Sequence, residues 1–237
     1  MDTRHPIQDN PEPAVLSVAF NDDRKRFICG MSNGLRILRA KDCLRTIKQA
    51  PSPGHGISIA ESLDDRYVAV VGGGRLPNSS PDKVLLLPPP QPGVTAIDNN
   101  IGSNTNIVQV EFWDVLKNKK VHELDLSEPI LGIRMTNRLF IIVLIDRAVC
   151  LEYRTSGDGA FGPGSVRGLY NTTSNPYALC CVSGDTIALP GLTSGQAQVL
   201  RLADRSKKII PAHSSPLRQM ALSDDGEILA TASEQVS

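Results

Sequence analysis

The sequence predicts an all-β fold of the β-propeller class, in which small antiparallel sheets repeat around a ring. An apolar strand, a polar turn and a second apolar strand recur five times, starting at Val15, Ile57, Ile130, Tyr177 and Leu217. The spacings between these starts are 42, 73, 47 and 40 residues. Three of the four match the roughly 40–50 residues of a four-stranded propeller blade. A sandwich of two sheets lacks a repeat of this length, and no segment has a sustained helical period, so a propeller with little helix is expected.

Each repeat contains two strands joined by a turn rich in Asn, Asp or Gly, residues that adopt the conformations of tight hairpins. The predicted pairs are Val15–Phe20 with Phe27–Gly30, Ile57–Ala60 with Tyr67–Val71, Ile130–Met135 with Leu139–Leu144, Tyr177–Val182 with Thr186–Leu189, and Leu217–Leu222 with Ile228–Ala232. The fifth pair is the start of a blade that needs four strands. The chain of 1–237 therefore predicts about four and a half blades.

The spacing of 73 residues is explained by an insertion in the second blade. Residues 84–109 contain a proline-rich run, Pro88–Pro92, followed by an Asn/Ser-rich stretch. Neither composition joins a sheet, since proline lacks the N–H donor and the polar stretch buries too little apolar surface. Removing these 26 residues restores a spacing of 47. We expect the insertion to be disordered, and its length and ends also suit a retained intron.

Composition excludes several classes of function. Lys and Arg together number 25, as do Asp and Glu, so the formal net charge is zero and no bulk attraction to nucleic acid is expected. Aromatic residues are only 4%, too few for a base-stacking surface. We found no catalytic motif and expect no enzymatic activity and no cofactor.

The cysteines and the termini point to a reducing, cytoplasmic setting. The five cysteines form no CxxC pair, so we expect small buried side chains and no metal site. Residues 1–13 form a polar tail without an apolar signal region, and the longest apolar run, Leu139–Ile145, is far below the roughly 20 residues of a membrane span.

Eight short motifs recur at the expected places of the repeats: 16–21, 30–37, 70–74, 82–84 resumed at 110–114, 188–191, 195–199, 210–213 and 230–234. Together they resemble the PROPPIN family, WD40-type propellers that bind phosphoinositides in autophagy. Within that family the composition is most similar to the fungal branch that includes homologues of the swollen-vacuole proteins. The resemblance implies a propeller of seven blades, so this chain looks truncated at its C-terminal end. The tail Val236-Ser237 is also what an unspliced donor sequence encodes.

The resemblance implies a function in autophagy and vacuolar membrane trafficking. The expected protein is a peripheral membrane adaptor for phosphatidylinositol 3-phosphate or 3,5-bisphosphate, recruited from the cytoplasm to vacuolar, endosomal and pre-autophagosomal membranes. Its other expected partners are lipid-transfer or scaffold proteins of autophagy. By position, His213 matches the family's headgroup histidine and Ser233 a headgroup hydroxyl, while Ser237 falls where a threonine normally binds. The family's arginine pair does not occur in 1–237, so we expect impaired lipid binding by this chain.

Structural interpretations remain open beside these functional ones. His213 could hydrogen-bond the next blade, as blade-edge histidines do, and Ser233 could donate to the backbone. Gly72, Gly73 and Gly74 indicate a strand-end turn, since no phosphate-loop pattern follows. Trp113 is expected to pack between sheets. The alternative function is a WD40 scaffold that binds proteins without lipid.

Overall fold

The computed structural model describes residues 13–21, 24–43, 56–64, 66–72, 108–155 and 161–235. Within these ranges the chain forms seventeen strands in five antiparallel sheets and no helix. Sheet 1 contains β1 (Val15–Phe20), β2 (Arg26–Met31) and β3 (Gly34–Arg39). Sheet 2 contains β4 (Ile57–Ser62), β5 (Tyr67–Gly72), β6 (Val108–Asp114) and β7 (Lys119–Leu126).

The remaining sheets follow in chain order, each with its strands side by side as the chain runs. Sheet 3 contains β8 (Gly132–Met135), β9 (Leu139–Val143), β10 (Arg147–Thr155) and β11 (Phe161–Asn171). Sheet 4 contains β12 (Cys181–Ser183), β13 (Thr186–Pro190), β14 (Gln196–Arg201) and β15 (Ser206–Pro211). Sheet 5 contains β16 (Leu217–Leu222) and β17 (Leu229–Ser233).

Four apolar clusters lie between consecutive sheets, which is the packing of propeller blades. Strand β9 is an example, since its five residues are all apolar and all buried. Phe140 and Ile142 pack against sheet 2, whereas Leu139, Ile141 and Val143 pack against sheet 4. Successive side chains on a strand point to opposite faces, so an inner strand buried on both faces needs an unbroken apolar run. The predicted all-β propeller is confirmed.

The other two clusters complete the series. One joins sheets 1 and 2 through residues such as Ile28 and Val68, and the other joins sheets 4 and 5 through Ala197 and Met220. Trp113 packs against the first of these clusters, and its indole N–H donates to Glu111 Oε2 at 2.9 Å. The prediction that Trp113 packs between sheets is confirmed.

One predicted strand is wrong at its start. Residues Tyr177 to Cys180 were expected to begin the fourth blade, yet β12 starts at Cys181. The side chain of Asn175 accepts from Leu179 N at 2.8 Å and donates to Leu179 O at 3.1 Å. Ala178 has a φ of 50°. This amide clamp satisfies the backbone groups of Leu179 locally and keeps the segment out of the ladder.

The insertion ends earlier than the predicted boundary of residue 109. Val108 and Gln109 already belong to β6, where they pair with Leu126 and Asp125 of β7. The predicted disorder concerns residues 84–107, which lie outside the described residues. Most of the N-terminal tail lies outside them too, as do the second and third glycines of Gly72-Gly73-Gly74. Gly72 ends β5, as expected of a strand-end glycine.

The cysteines follow the prediction in part. Cys29, Cys150 and Cys180 are buried, and burial raises the pKa of Cys150 to about 11 and that of Cys180 to about 12. Cys43 is exposed and Cys181 is half-buried, so the expectation that all five are buried is wrong for Cys43 and holds only in part for Cys181. Cys43 has a φ of 56° and follows β3, the last strand of sheet 1.

Candidate functional site

Antiparallel connections place the loops of sheets 4 and 5 at two opposite ends. One end, here called the hairpin end, carries the turns at 184–185, 202–205 and 223–227. The other, called the crossover end, carries the turn at 191–195 and the link 212–216 that leads from sheet 4 to sheet 5. Both predicted site residues lie at the crossover end, since His213 is in the link and Ser233 ends β17.

His213 is half-buried and bridges the link to sheet 5. Its Nε2 lies 3.0 Å from Thr231 Oγ1, and its backbone N–H donates to Gly195 O at 3.0 Å. The contact with Thr231 is the structural role left open for this histidine. Within the described residues Nδ1 has no hydrogen-bond partner, so one ring nitrogen remains available to a ligand.

Gly195 fixes the position of the His213 backbone. Its φ is +77°, in the left-handed region, and a Cβ at this position would lie 2.0 Å from His213 O. Only a residue without a Cβ allows the link to approach the turn this closely. The turn of sheet 4 therefore sets where His213 stands.

Ser233 lies on the same side of β17 as Thr231, because the two residues are two positions apart in a strand. Its hydroxyl donates to Gln235 O at 2.9 Å. The structure thus brings His213 and the Thr231–Ser233 side of β17 to one edge of sheet 5. Sequence reasoning missed Thr231 as the partner of His213, although the spacing Thr-x-Ser was a signal for a shared face.

A cavity of about 250 Å³ lies beside this edge, between the segment 173–179 that leads into sheet 4, the turn that ends at Gln196, and both ends of sheet 5. Leu179 and Leu217 contribute apolar lining, and Glu234 is at its wall. The guanidinium of Arg218 stacks 3.7 Å from the ring centre of Tyr177, another lining residue. The lining is therefore mixed in polarity, and Arg218 stacks on Tyr177 without itself lining the cavity.

Other candidate groups have structural roles where the structure describes them. Lys120 bonds Glu111 at 3.3 Å and also Glu123, while Lys117 lies in the turn between β6 and β7, as expected of a hairpin turn. In the described ranges no three His, Cys, Asp or Glu side chains gather in a way that could hold a metal ion. Nor does any helix there have the length and apolar character needed to cross a membrane.

No family model matches the chain. It is 35% identical over 236 residues to SVP1-like protein 2 of Neurospora crassa, covering 99% of this chain and 47% of that protein. It is 29% identical to Autophagy-related protein 18e of Arabidopsis thaliana, covering 92% of this chain and 51% of that protein. The chain thus spans about half the length of these curated relatives.

Solved structures share the fold. Hsv2 of Kluyveromyces marxianus superposes with a TM-score of 0.65 at 16% identity, covering 94% of this chain and 59% of that chain. An Atg21 protein (KlAtg21), solved in complex with the coiled coil of an Atg16 (AgAtg16), has a TM-score of 0.58 at 16% identity, covering 94% and 63%. The blade arrangement found here is therefore the one that these propellers have.

Proposed function

The chain belongs to the PROPPIN family of β-propellers, and on that premise we propose that the whole protein is a phosphoinositide-binding adaptor of autophagy and vacuolar membrane trafficking. Its ligands are phosphatidylinositol 3-phosphate and 3,5-bisphosphate. It resides in the cytoplasm and is recruited to vacuolar, endosomal and pre-autophagosomal membranes. We assign it an adaptor role rather than an enzymatic one.

The observation that carries this proposal is the grouping of three half-buried side chains, His213, Thr231 and Ser233, at one edge of sheet 5. A phosphate needs several donors that converge, and Nδ1–H of His213 with the Ser233 hydroxyl would supply two of them. In that tautomer Nε2 accepts from the Thr231 hydroxyl, which then orients the ring. Nδ1 of His213 has no competing partner in the described residues, and the hydroxyl of Ser233 needs only to leave Gln235 O. An arginine pair does not occur in 1–237, so we expect weak headgroup binding by these residues alone.

The test uses soluble headgroups, since nuclear magnetic resonance detects weak binding. Inositol 1,3-bisphosphate and inositol 1,3,5-trisphosphate are titrated into the 237-residue chain, with unphosphorylated inositol as the control ligand. We expect the resonances of His213 and Ser233 to shift with both phosphates. His213→Ala should weaken binding about fivefold to a hundredfold, the loss of a hydrogen bond of about 1–3 kcal/mol to a charged group.

Two matched variants serve as controls for the loss of a histidine and for the loss of a hydroxyl. His122→Ala removes a histidine in sheet 2, and Ser214→Ala removes an exposed hydroxyl next to His213. Both should bind the phosphates as the unsubstituted chain does. Equal binding by His213→Ala and His122→Ala would remove His213 from the site, and no shift with either phosphate would remove the site from this chain.

A protein-scaffold role is the second candidate, and the Atg21 structure in complex with an Atg16 coiled coil is the observation that favours it. We infer partners among autophagy scaffold or lipid-transfer proteins. Capture of such a coiled coil in the absence of membranes, undiminished by His213→Ala, would show that scaffolding does not depend on the headgroup site. Loss of capture in that variant would contradict a separate protein-binding surface.

A further inference from the structure

Strand β15 is the outermost strand of sheet 4, and its outer edge is open. The strand order is β12-β13-β14-β15, with β14 as the only described neighbour of β15. All its residues except Ile210 are exposed, and Ile209 is 44% exposed. An open edge offers unpaired N–H and C=O groups to an extended segment of another chain.

The hydrogen-bond pattern of sheet 4 shows which groups point outward. Gly191 N donates to Gln196 O, and Leu202 N donates to Asp185 O. Even-numbered residues of β14 therefore point their backbone groups at β13, and odd-numbered ones point at β15, because these directions alternate along an antiparallel strand.

The same alternation applies to β15 itself. Lys208 pairs with Val199 and bonds inward, so Lys207 and Ile209, which pair with Leu200 and Gln198, direct their N–H and C=O groups outward. Pro211, which pairs with Gln196, lacks an N–H and so closes the row of donors. The free edge is thus two residues long and ends at the link that carries His213.

Positive charge concentrates at this edge and is not neutralised. Arg205, Lys207 and Lys208 are exposed, and none of them forms an ion pair among the described residues. Other outer strands differ: Lys120 of β7 is paired with Glu111 and Glu123, and Arg167 of β11 lies 3.9 Å from Glu152.

Consecutive positions give the cations of β15 a definite geometry. Lys208 and Ile210 share the face towards sheet 5, where Ile210 packs, and Lys207 and Ile209 share the opposite face. A strand added at the edge would therefore meet a cation on each of its two faces. Acidic residues at neighbouring positions would match both.

We propose that β15 is a docking edge for an acidic, extended peptide segment of a partner protein, which adds to sheet 4 as a further strand. Its backbone bonds to Lys207 and Ile209, and two consecutive acidic side chains pair with Lys207 and Lys208. Charged residues on an edge ordinarily prevent pairing between like edges. The same charges favour a strand of opposite sign, because opposite charges in facing positions stabilise a pair of strands and like charges destabilise it.

The experiment separates backbone pairing from charge. A random ten-residue peptide library is selected on the 237-residue chain, and enriched peptides are synthesised and measured by fluorescence anisotropy. We expect enrichment of peptides with neighbouring Asp or Glu and no proline between them. Ile209→Pro removes an outward N–H without removing a bond to β14, and it should weaken binding at least about tenfold, as expected for a lost edge of the ladder.

Further variants keep the test decisive if proline lowers stability. Lys207→Glu with Lys208→Glu should also weaken binding at least about tenfold, whereas Lys117→Glu with Lys119→Glu, the same charge change on the hairpin of sheet 2, should leave it unchanged. Binding equal in all variants, or enrichment of non-acidic peptides, would overturn the proposal. A membrane result would also overturn it. If the chain floats with phosphatidylserine vesicles, loses this binding when Lys207 and Lys208 are replaced and keeps it in Ile209→Pro, the edge contacts membranes instead of a peptide.

Discussion

Replacing Gly195 by alanine should destabilise the protein by moving the link that carries His213. Gly195 has a φ of +77°, and a Cβ there would lie 2.0 Å from His213 O, 2.8 Å from His213 C and 3.0 Å from Ser215 O. These are backbone atoms, so no change of side-chain rotamer relieves the overlap. The link 212–216 or the turn 191–195 has to shift.

The magnitude follows from two costs and one gain. An L-residue in the left-handed region costs about 1–2 kcal/mol, and overpacking against a fixed neighbour costs about 1–3 kcal/mol. Alanine recovers about 0.4–1 kcal/mol by restricting the unfolded chain. We therefore expect a loss of about 3 kcal/mol in the free energy of unfolding.

Gly184 provides a matched control. Its φ is +54°, and nothing lies within 4 Å of an added Cβ. Gly184→Ala contains the backbone strain without the overlap, so its expected loss is about 1 kcal/mol. The difference of about 2 kcal/mol measures the contact with the link.

Urea unfolding of both variants, followed by the fluorescence of the single tryptophan, Trp113, and by far-UV circular dichroism, provides the measurement. Trp113 lies in sheet 2 and the substitutions in sheet 4, so coincident transitions by the two probes would establish cooperative unfolding. Equal losses in Gly195→Ala and Gly184→Ala would refute the claim that Gly195 holds the link in place.

Two further predictions concern buried carboxyl groups of sheet 2. Burial raises the pKa of Glu61 to about 7, against the lowering effect of Arg134, so the folded protein binds this proton more tightly than the unfolded chain. Stability from this group is therefore full below the usual value of 4.5 and falls as the pH rises through 7. In Glu61→Gln the free energy of unfolding should no longer decrease by about 3 kcal/mol between pH 4.5 and 7. A urea midpoint with the same pH dependence in both proteins would contradict this. Asp114, 1% exposed, accepts from Arg66 Nε at 2.8 Å. Asp114→Asn should lower the free energy of unfolding by about 2 kcal/mol, measured by thermal or urea unfolding, whereas Asp125→Asn at an exposed position should cost little. Equal effects would rule out the bond between the buried Asp114 and the half-exposed Arg66 as a source of stability.

The strands that are buried on both faces could be predicted because their composition is apolar throughout, as in β5 and β9, which lie within one residue of the expected bounds. Val15–Phe20 and Leu217–Leu222 were predicted with the bounds that the structure has, although few of their side chains are buried, because polar turns follow them. The error at Tyr177 arose because an apolar run does not distinguish a strand from a loop whose backbone is held by a side chain, here Asn175.

The site was less predictable than the fold. The resemblance selected His213 and Ser233, but the contact of His213 with Thr231 and the close approach of Gly195 join residues 18 positions apart in each case. Such contacts follow from how sheet 5 docks on sheet 4, which a single sequence does not contain. The open edge of β15 likewise depends on which of its residues direct their backbone groups outward, and this is known only from the observed strand register.

The two ends of the sheets are held together differently, and this bears on where a ligand site can form. At the hairpin end side chains tie neighbouring sheets: Arg138 bonds Asp185 at 3.1 Å, and Ser183 Oγ donates to Asp224 O at 2.5 Å. Arg24, in the turn between β1 and β2, also bonds Asp224 at 2.7 Å, but an ion pair this exposed contributes little stability.

At the crossover end, by contrast, the link between sheets 4 and 5 is held by the backbone bond from His213 to Gly195 O. Side chains contribute there as well, since His213 Nε2 lies 3.0 Å from Thr231 Oγ1 and Ser215 Oγ accepts from Gln235 N at 3.4 Å. Nδ1 of His213 has no hydrogen-bond partner among the described residues. Because the close approach of Gly195 sets the position of the His213 backbone, a change at Gly195 should move His213 while the bonds between Arg138 and Asp185 at the hairpin end remain.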